Sequence, residues 1–217
     1  MLVAIHTAFG VVWRPSGFSC NTRTMIVVPE HIRGLVFDCD GTIAHTMPLH
    51  YRAWARALGE HGVDFPEALF YEFGGMPTET IIDTLNKRHG RNMPVRETAH
   101  RKEDLFELMI PEVTPIEPIV DLIKQYAGKL PIAVATGGWR RIAEKTLTAM
   151  GVMPYLQAIV CAEDVTHGKP APDIFLEAAR RIGVDPTACM AFEDANLGVQ
   201  SATAAGMLVF DVRTLPA

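Results

Sequence analysis

The feature that most constrains this chain is a set of short apolar runs that stop abruptly on polar residues. Gly34-Leu35-Val36-Phe37 ends in Asp38-Cys39-Asp40-Gly41-Thr42. Leu130-Pro131-Ile132-Ala133-Val134-Ala135 ends in Thr136-Gly137-Gly138, and Cys189-Met190-Ala191-Phe192 ends in Glu193-Asp194. Such runs read as buried strands opening into loops. Gln157 to Cys161 and Met207 to Val212 read as two more strands. Helical stretches fall between them: Trp139 to Met150 before Gly151, Pro170 to Ile182 before Gly183, and Ala195 to Ala205 before Gly206. A glycine after the last helical residue is a common stop.

Strands alternating with helices of this length predict an α/β fold, a Rossmann-like parallel sheet with helices on both faces. Ligands of such sheets sit beyond the carboxyl ends of the strands. The polar clusters lie at those ends. Residues 47–114 read differently. Leu49 to His61 and Thr78 to His89 are amphipathic helical stretches with few strand signals between them. They predict a helical cap inserted after the first core strand, placed over the site like a lid. Thr114-Pro115 and Glu117-Pro118 read as the return hinge. The expected organisation is an arm at 1–30, an α/β core at 31–46 and 115–217, and a cap at 47–114.

With 217 residues and 48% hydrophobic composition, the chain can bury a core for one such domain plus an insertion. The formal net charge is −5. That argues against nucleic acid as a partner, so a bound phosphate must be neutralised locally. No apolar run reaches 18 residues, so no membrane helix is expected. The four cysteines, Cys20, Cys39, Cys161 and Cys189, have neither zinc nor disulfide spacing. They read as small buried residues of a protein in a reducing compartment, and a cytoplasmic location is expected. The stretch from Met1 to about Thr24 lacks acidic residues and a basic start. It is open to three readings: a targeting remnant, a disordered arm, or a start before a true one at Met25. No GxxxxGK[ST] loop, HExxH helix or GxSxG elbow is present.

Asp38 and Asp40 are two apart, so an extended chain points them the same way. Two converging carboxylates repel, and a hard divalent cation with oxygen ligands offsets this. One carboxylate can then attack phosphorus, and the other can move protons for the leaving group and for water. The alternative for this pair is a solvated acidic turn. Glu193-Asp194 can add ligands to the cation or cap the following helix. Thr136 and Gly137 suit phosphate oxygens or form a plain glycine-rich turn. Lys169 is the cation a phosphate site needs, or a surface lysine.

Together these segments resemble the haloacid dehalogenase-like phosphohydrolases over about Arg33 to Arg213. Asp38-Cys39-Asp40-Gly41-Thr42 is similar to the first family motif, Thr136 to the second, and Lys169 in Gly168-Lys169-Pro170 to the third. Glu193-Asp194, with Asn196, Gly198 and Ala202 following, is similar to the fourth. The resemblance implies Asp38 as nucleophile and Asp40 as general acid/base. It implies Mg²⁺ held by Asp38, the Asp40 main-chain carbonyl and Asp194 with Glu193 assisting, and phosphate held by Thr136, Gly137 and Lys169. The insertion resembles the small helical cap of the β-phosphoglucomutase-like and fructose-1-phosphate phosphatase-like subfamily, through Thr46, His50, Trp54 and Gly75. His45 stands where that subfamily carries an acidic residue. His50 is either a hinge or substrate-side residue or a packing histidine. The mutases hold a distal phosphate with a cap-loop arginine, and Gly75-Met76-Pro77-Thr78-Glu79 has none.

The expected activity is therefore Mg²⁺-dependent hydrolysis of a small phosphorylated metabolite, a sugar phosphate, by a monomer or weak homodimer. β-Phosphoglucomutase activity and a non-catalytic phosphate-binding domain are the alternatives.

Overall fold

The computed structural model describes residues 5–6, 11–12, 26–74 and 76–216. Cys20 and Gly75 lie outside the described residues, as does most of the 1–30 arm. Within that arm, the two-residue strands β1 (Ile5–His6) and β2 (Val11–Val12) pair antiparallel.

The main sheet is formed by β3 (Gly34–Phe37), β4 (Ile132–Ala135), β5 (Ala158–Val160), β6 (Cys189–Glu193) and β7 (Leu208–Asp211). All five strands are parallel, in the order β5-β4-β3-β6-β7. The three strands that end in chemistry-bearing residues, β4, β3 and β6, are the central neighbours, so their polar ends must converge. Strand periodicity assigns each residue to a face. Leu35, Phe37, Ile132, Val134, Met190 and Phe192 pack on one side, with Phe37 and Phe192 stacked at 4.4 Å between ring centres. Val36, Ala133, Ala135 and Ala191 pack on the other.

Helices α5 (Glu117–Tyr126) and α6 (Arg140–Ala149) cover the first face. Helices α7 (Asp173–Arg181) and α8 (Asn196–Ala204) cover the second. Two expectations need correction. Glu117-Pro118 is a helix start rather than a free hinge, because proline in the first turn loses only an N–H that has no intrahelical partner. The helix expected from Pro170 begins at Asp173 instead, where Pro172 serves as its cap.

Between β3 and β4 the chain forms α1 (Met47–Gly59), α2 (Glu67–Glu72), α3 (Thr78–His89) and α4 (Val95–Glu107). The first begins two residues earlier than expected, since Pro48 is preset for a helix start. Trp54, Phe65, Phe70, Ile82 and Leu85 form a separate apolar cluster. Buried Leu49, Ala53, Leu105 and Phe106 instead join the cluster on the sheet, so the insertion is anchored to the core. The outgoing and returning segments are paired: His45 N–H donates to the Thr114 carbonyl (2.8 Å) and Ile116 N–H to that of Ile43 (2.9 Å).

Candidate active site

Asp38 follows β3 directly and is 5% exposed. Its N–H donates to the Phe192 carbonyl at 3.0 Å, which continues the ladder to the strand end. The chain then turns tightly, with the N–H groups of Ile43 and Ala44 reaching the Cys39 carbonyl. Gly41 is required here twice over. Its φ is +83°, and a Cβ would stand 2.2 Å from Asp194 Oδ2.

Glu193 is the last residue of β6 and Asp194 follows it. Among the described residues, Asp38, Glu193 and Asp194 offer carboxylate oxygens within 4.8 Å of one another. Lys169 comes from the loop between β5 and α7. Its Nζ donates to Asp38 Oδ1 at 2.6 Å and to Glu193 Oε1 at 2.5 Å. Glu193 is held further by the Ala195 N–H, 2.8 Å from Oε2. Gly198 of α8 passes so close that a Cβ would lie 1.7 Å from Glu193 Oε1.

The electrostatics show a site short of positive charge. Burial pushes Asp38 well above the usual carboxylate range. Lys169 pulls it down, while Glu193, Asp194 and Asp40 push it up. Burial and then Glu193 push Asp194 up to about 7, against the pull of Lys169 and the Thr42 hydroxyl. Burial alone would lower Lys169, but Asp38 and Glu193 reverse this and raise it. Three carboxylates sharing one lysine fit a divalent cation with oxygen ligands. The Asp40 carboxylate does not join this cluster, in keeping with the expectation that Asp40 would meet a cation through its main-chain carbonyl.

Asp40 turns instead to the insertion. Its Oδ1 lies 3.1 Å from His50 Nε2. Burial favours the neutral acid, but His50 and Lys102 outweigh it and hold Asp40 down at about 2. His50, on α1, stacks on Phe106 with ring centres 3.7 Å apart. Its Nδ1 accepts from Lys102 Nζ at 2.9 Å, and Lys102 also donates to Glu103 Oε1 at 2.9 Å. His50 is thus both packed and joined to a site carboxylate.

Thr136 directly follows β4 and is 1% exposed, with its hydroxyl accepting from the Gly138 N–H at 3.0 Å. Gly138 is the tighter of the two glycines, since a Cβ there would approach Asp40 Oδ2 at 3.5 Å, whereas at Gly137 it would meet open space. Asp38, Asp40, His50, Thr136, Gly137, Lys169, Glu193 and Asp194 all line one cavity of about 350 Å³, roofed by the insertion. Lys102 and Glu103 line it too and were not singled out from sequence. A signal was available: Ala99, Lys102, Glu103 and Phe106 have the i, i+3, i+4, i+7 spacing of one helix face. Two charges between small and aromatic residues on a buried stripe mark a polar contact.

This fold, with acidic strand ends and a lysine meeting in one cavity, is that of a hydrolase. Residues 32–206 match the model of the haloacid dehalogenase-like hydrolases, and the chain belongs to that family. It is 41% identical over 187 residues to fructose-1-phosphate phosphatase YqaB of Escherichia coli, covering 86% of this chain and 99% of that protein. It is 29% identical to β-phosphoglucomutase of Bacillus subtilis, over 83% of each chain. Among solved structures, CbbY from Rhodobacter sphaeroides in complex with phosphate superposes with a TM-score of 0.74 at 27% identity, covering 82% of this chain and 84% of that one.

Proposed function

We propose that this enzyme hydrolyses a sugar monophosphate by way of an aspartyl-phosphate on Asp38, with Mg²⁺ as cofactor. The observation that carries the reading is the meeting of Asp38, Lys169, Glu193 and Asp194 at adjacent strand ends, inside a cavity sized for one small metabolite. Asp38, the Asp40 main-chain carbonyl and Asp194 would hold the cation, with Glu193 fixed behind them. When bound, Mg²⁺ offsets the crowding of carboxylates and the charge on the transferring group.

Asp38 attacks phosphorus and the ester oxygen leaves. Lys169, Thr136 and Gly137 bind the phosphoryl oxygens, and Lys169 supplies charge where it develops. Asp40 gives a proton to the leaving oxygen and later takes one from the water that cleaves the acyl phosphate. Held near 2 in this arrangement, it stands ready as the base. His50, whose Nε2 lies 3.1 Å from Oδ1, orients the carboxyl, and Asp40 takes from solvent the proton that it gives in the first step. Residues 47–114 act as a cap that excludes bulk water. The sugar-phosphate assignment draws on the 41% identity to fructose-1-phosphate phosphatase YqaB.

The test is phosphate release from a panel of phosphorylated metabolites, with Mg²⁺ and with EDTA. Release should concentrate on hexose monophosphates and stop on chelation. Release that persists in EDTA would remove the cation from the scheme, and glucose 6-phosphate formed from β-glucose 1-phosphate would favour the mutase.

A further inference from the structure

The two walls of the cavity differ in charge. On the sheet side, Lys169 is committed to Asp38 and Glu193. On the insertion side the lining residues include Trp54, Phe70, Phe73, Met76 and Ile81, which are apolar, together with Lys102 and Glu103. Lys102 and Glu103 are each 4% exposed. Lys102 is bonded to Glu103 and, through His50, to Asp40, so one ammonium serves two carboxylates and the group as a whole stays negative. Among the described lining residues, no cation is left on this wall to receive a second anion. Glu103 takes both of its side-chain donors on Oε1, Lys102 at 2.9 Å and the Thr78 hydroxyl at 3.5 Å.

We propose that Glu103 determines specificity: it accepts a hydrogen bond from a substrate hydroxyl and repels a second phosphate. The preferred substrate is then a monophosphate ester whose remainder is uncharged and hydroxylated. The proposal rests on the phosphatase reading of the same site.

An ionised carboxylate only accepts hydrogen bonds. Its complement is a donor, which a sugar hydroxyl is and a phosphate dianion is not. Bringing a second phosphate to a carboxylate in a partly desolvated cavity sets like charges against each other where screening is weak. Discrimination then comes from repulsion of the wrong ligand as much as from attraction of the right one.

The test is titration calorimetry with Mg²⁺ on Asp38→Asn and on Asp38→Asn/Glu103→Gln, using fructose 1-phosphate and fructose 1,6-bisphosphate. With Glu103 present, the monophosphate should bind at least about tenfold more tightly, and Glu103→Gln should cut that preference below about threefold. A ratio cancels any general loosening of the cavity, which a merely structural Glu103 would produce. Should Glu103→Gln fail to fold, Glu103→Asp keeps the charge, and it should keep the preference while weakening both ligands. Equal affinities in the parent, a ratio untouched by Glu103→Gln, or no binding of either sugar would overturn the proposal. Binding is read without turnover, so absence of hydrolysis by the intact enzyme would overturn the phosphatase reading alone.

Discussion

The sheet wall and the insertion wall face the same cavity but are built in opposite ways. On the sheet wall, Asp38, Thr136, Glu193 and Asp194 sit at the ends of central strands, where adjacency follows from the pairing β4-β3-β6, and Lys169 reaches them from the loop after the edge strand β5. On the insertion wall, His50 comes from α1 and Lys102 and Glu103 from α4. They meet only because those two helices pack together. One wall is a property of strand order, the other of helix packing. The sheet wall therefore tolerates little change in chemistry.

Substitutions on each wall and across the seam between them can break this comparison. The largest effect is expected for Asp38→Asn, which removes the nucleophile: kcat should fall about 10,000-fold or more with circular dichroism unchanged. Near-normal turnover would end the scheme. Next is His50→Gln, which takes away the partner of Asp40 without touching Asp38. A fall in kcat of about 100-fold, with KM within about threefold, is expected if His50 positions Asp40 for proton transfer. A KM effect alone would make it a substrate contact instead.

Gly198→Ala probes the back of the sheet wall. In an ordinary helix this change gains about 1 kcal/mol. Here the new methyl collides with Glu193, so a loss of about 2 kcal/mol and a greater Mg²⁺ requirement are expected. A higher melting temperature would show that Glu193 yields freely. The smallest effect is expected at the seam. Arg141 of α6 reaches Glu107 and, at 2.8 Å, Asp104 of α4, on the exposed surface. Removing it in Arg141→Ala should cost only about 0.5 kcal/mol in denaturant unfolding, because such pairs are well screened. A large loss would mean that this pair, rather than apolar packing, holds the insertion on the core.

Much of the sheet was legible beforehand because each apolar run and its polar end are contiguous in sequence. Asp38, Thr136, Glu193 and Asp194 could therefore be placed near one another from strand alternation, whereas Lys169 joined them only through the family resemblance, since taken alone it reads as a surface lysine. Helix α5 was hidden behind its own start, where Pro118 looked like punctuation. The turning of Asp40 away from the carboxylate cluster was also out of reach, since spacing two apart says which way a side chain leaves the strand, not which neighbour captures it.

What the sequence by itself determined is the parallel sheet, the helical insertion and the acidic strand ends, because those depend on periodicities of two and 3.6 residues and on local turn chemistry. Only the tertiary structure decided that Asp40 answers to His50, that Lys102 is spent on His50 and Glu103, and that Gly41 and Gly198 must lack side chains to seat Asp194 and Glu193. The reason is physical. Periodicity reports which residues share a face, whereas burial of a charge is decided by the groups that another element brings against it.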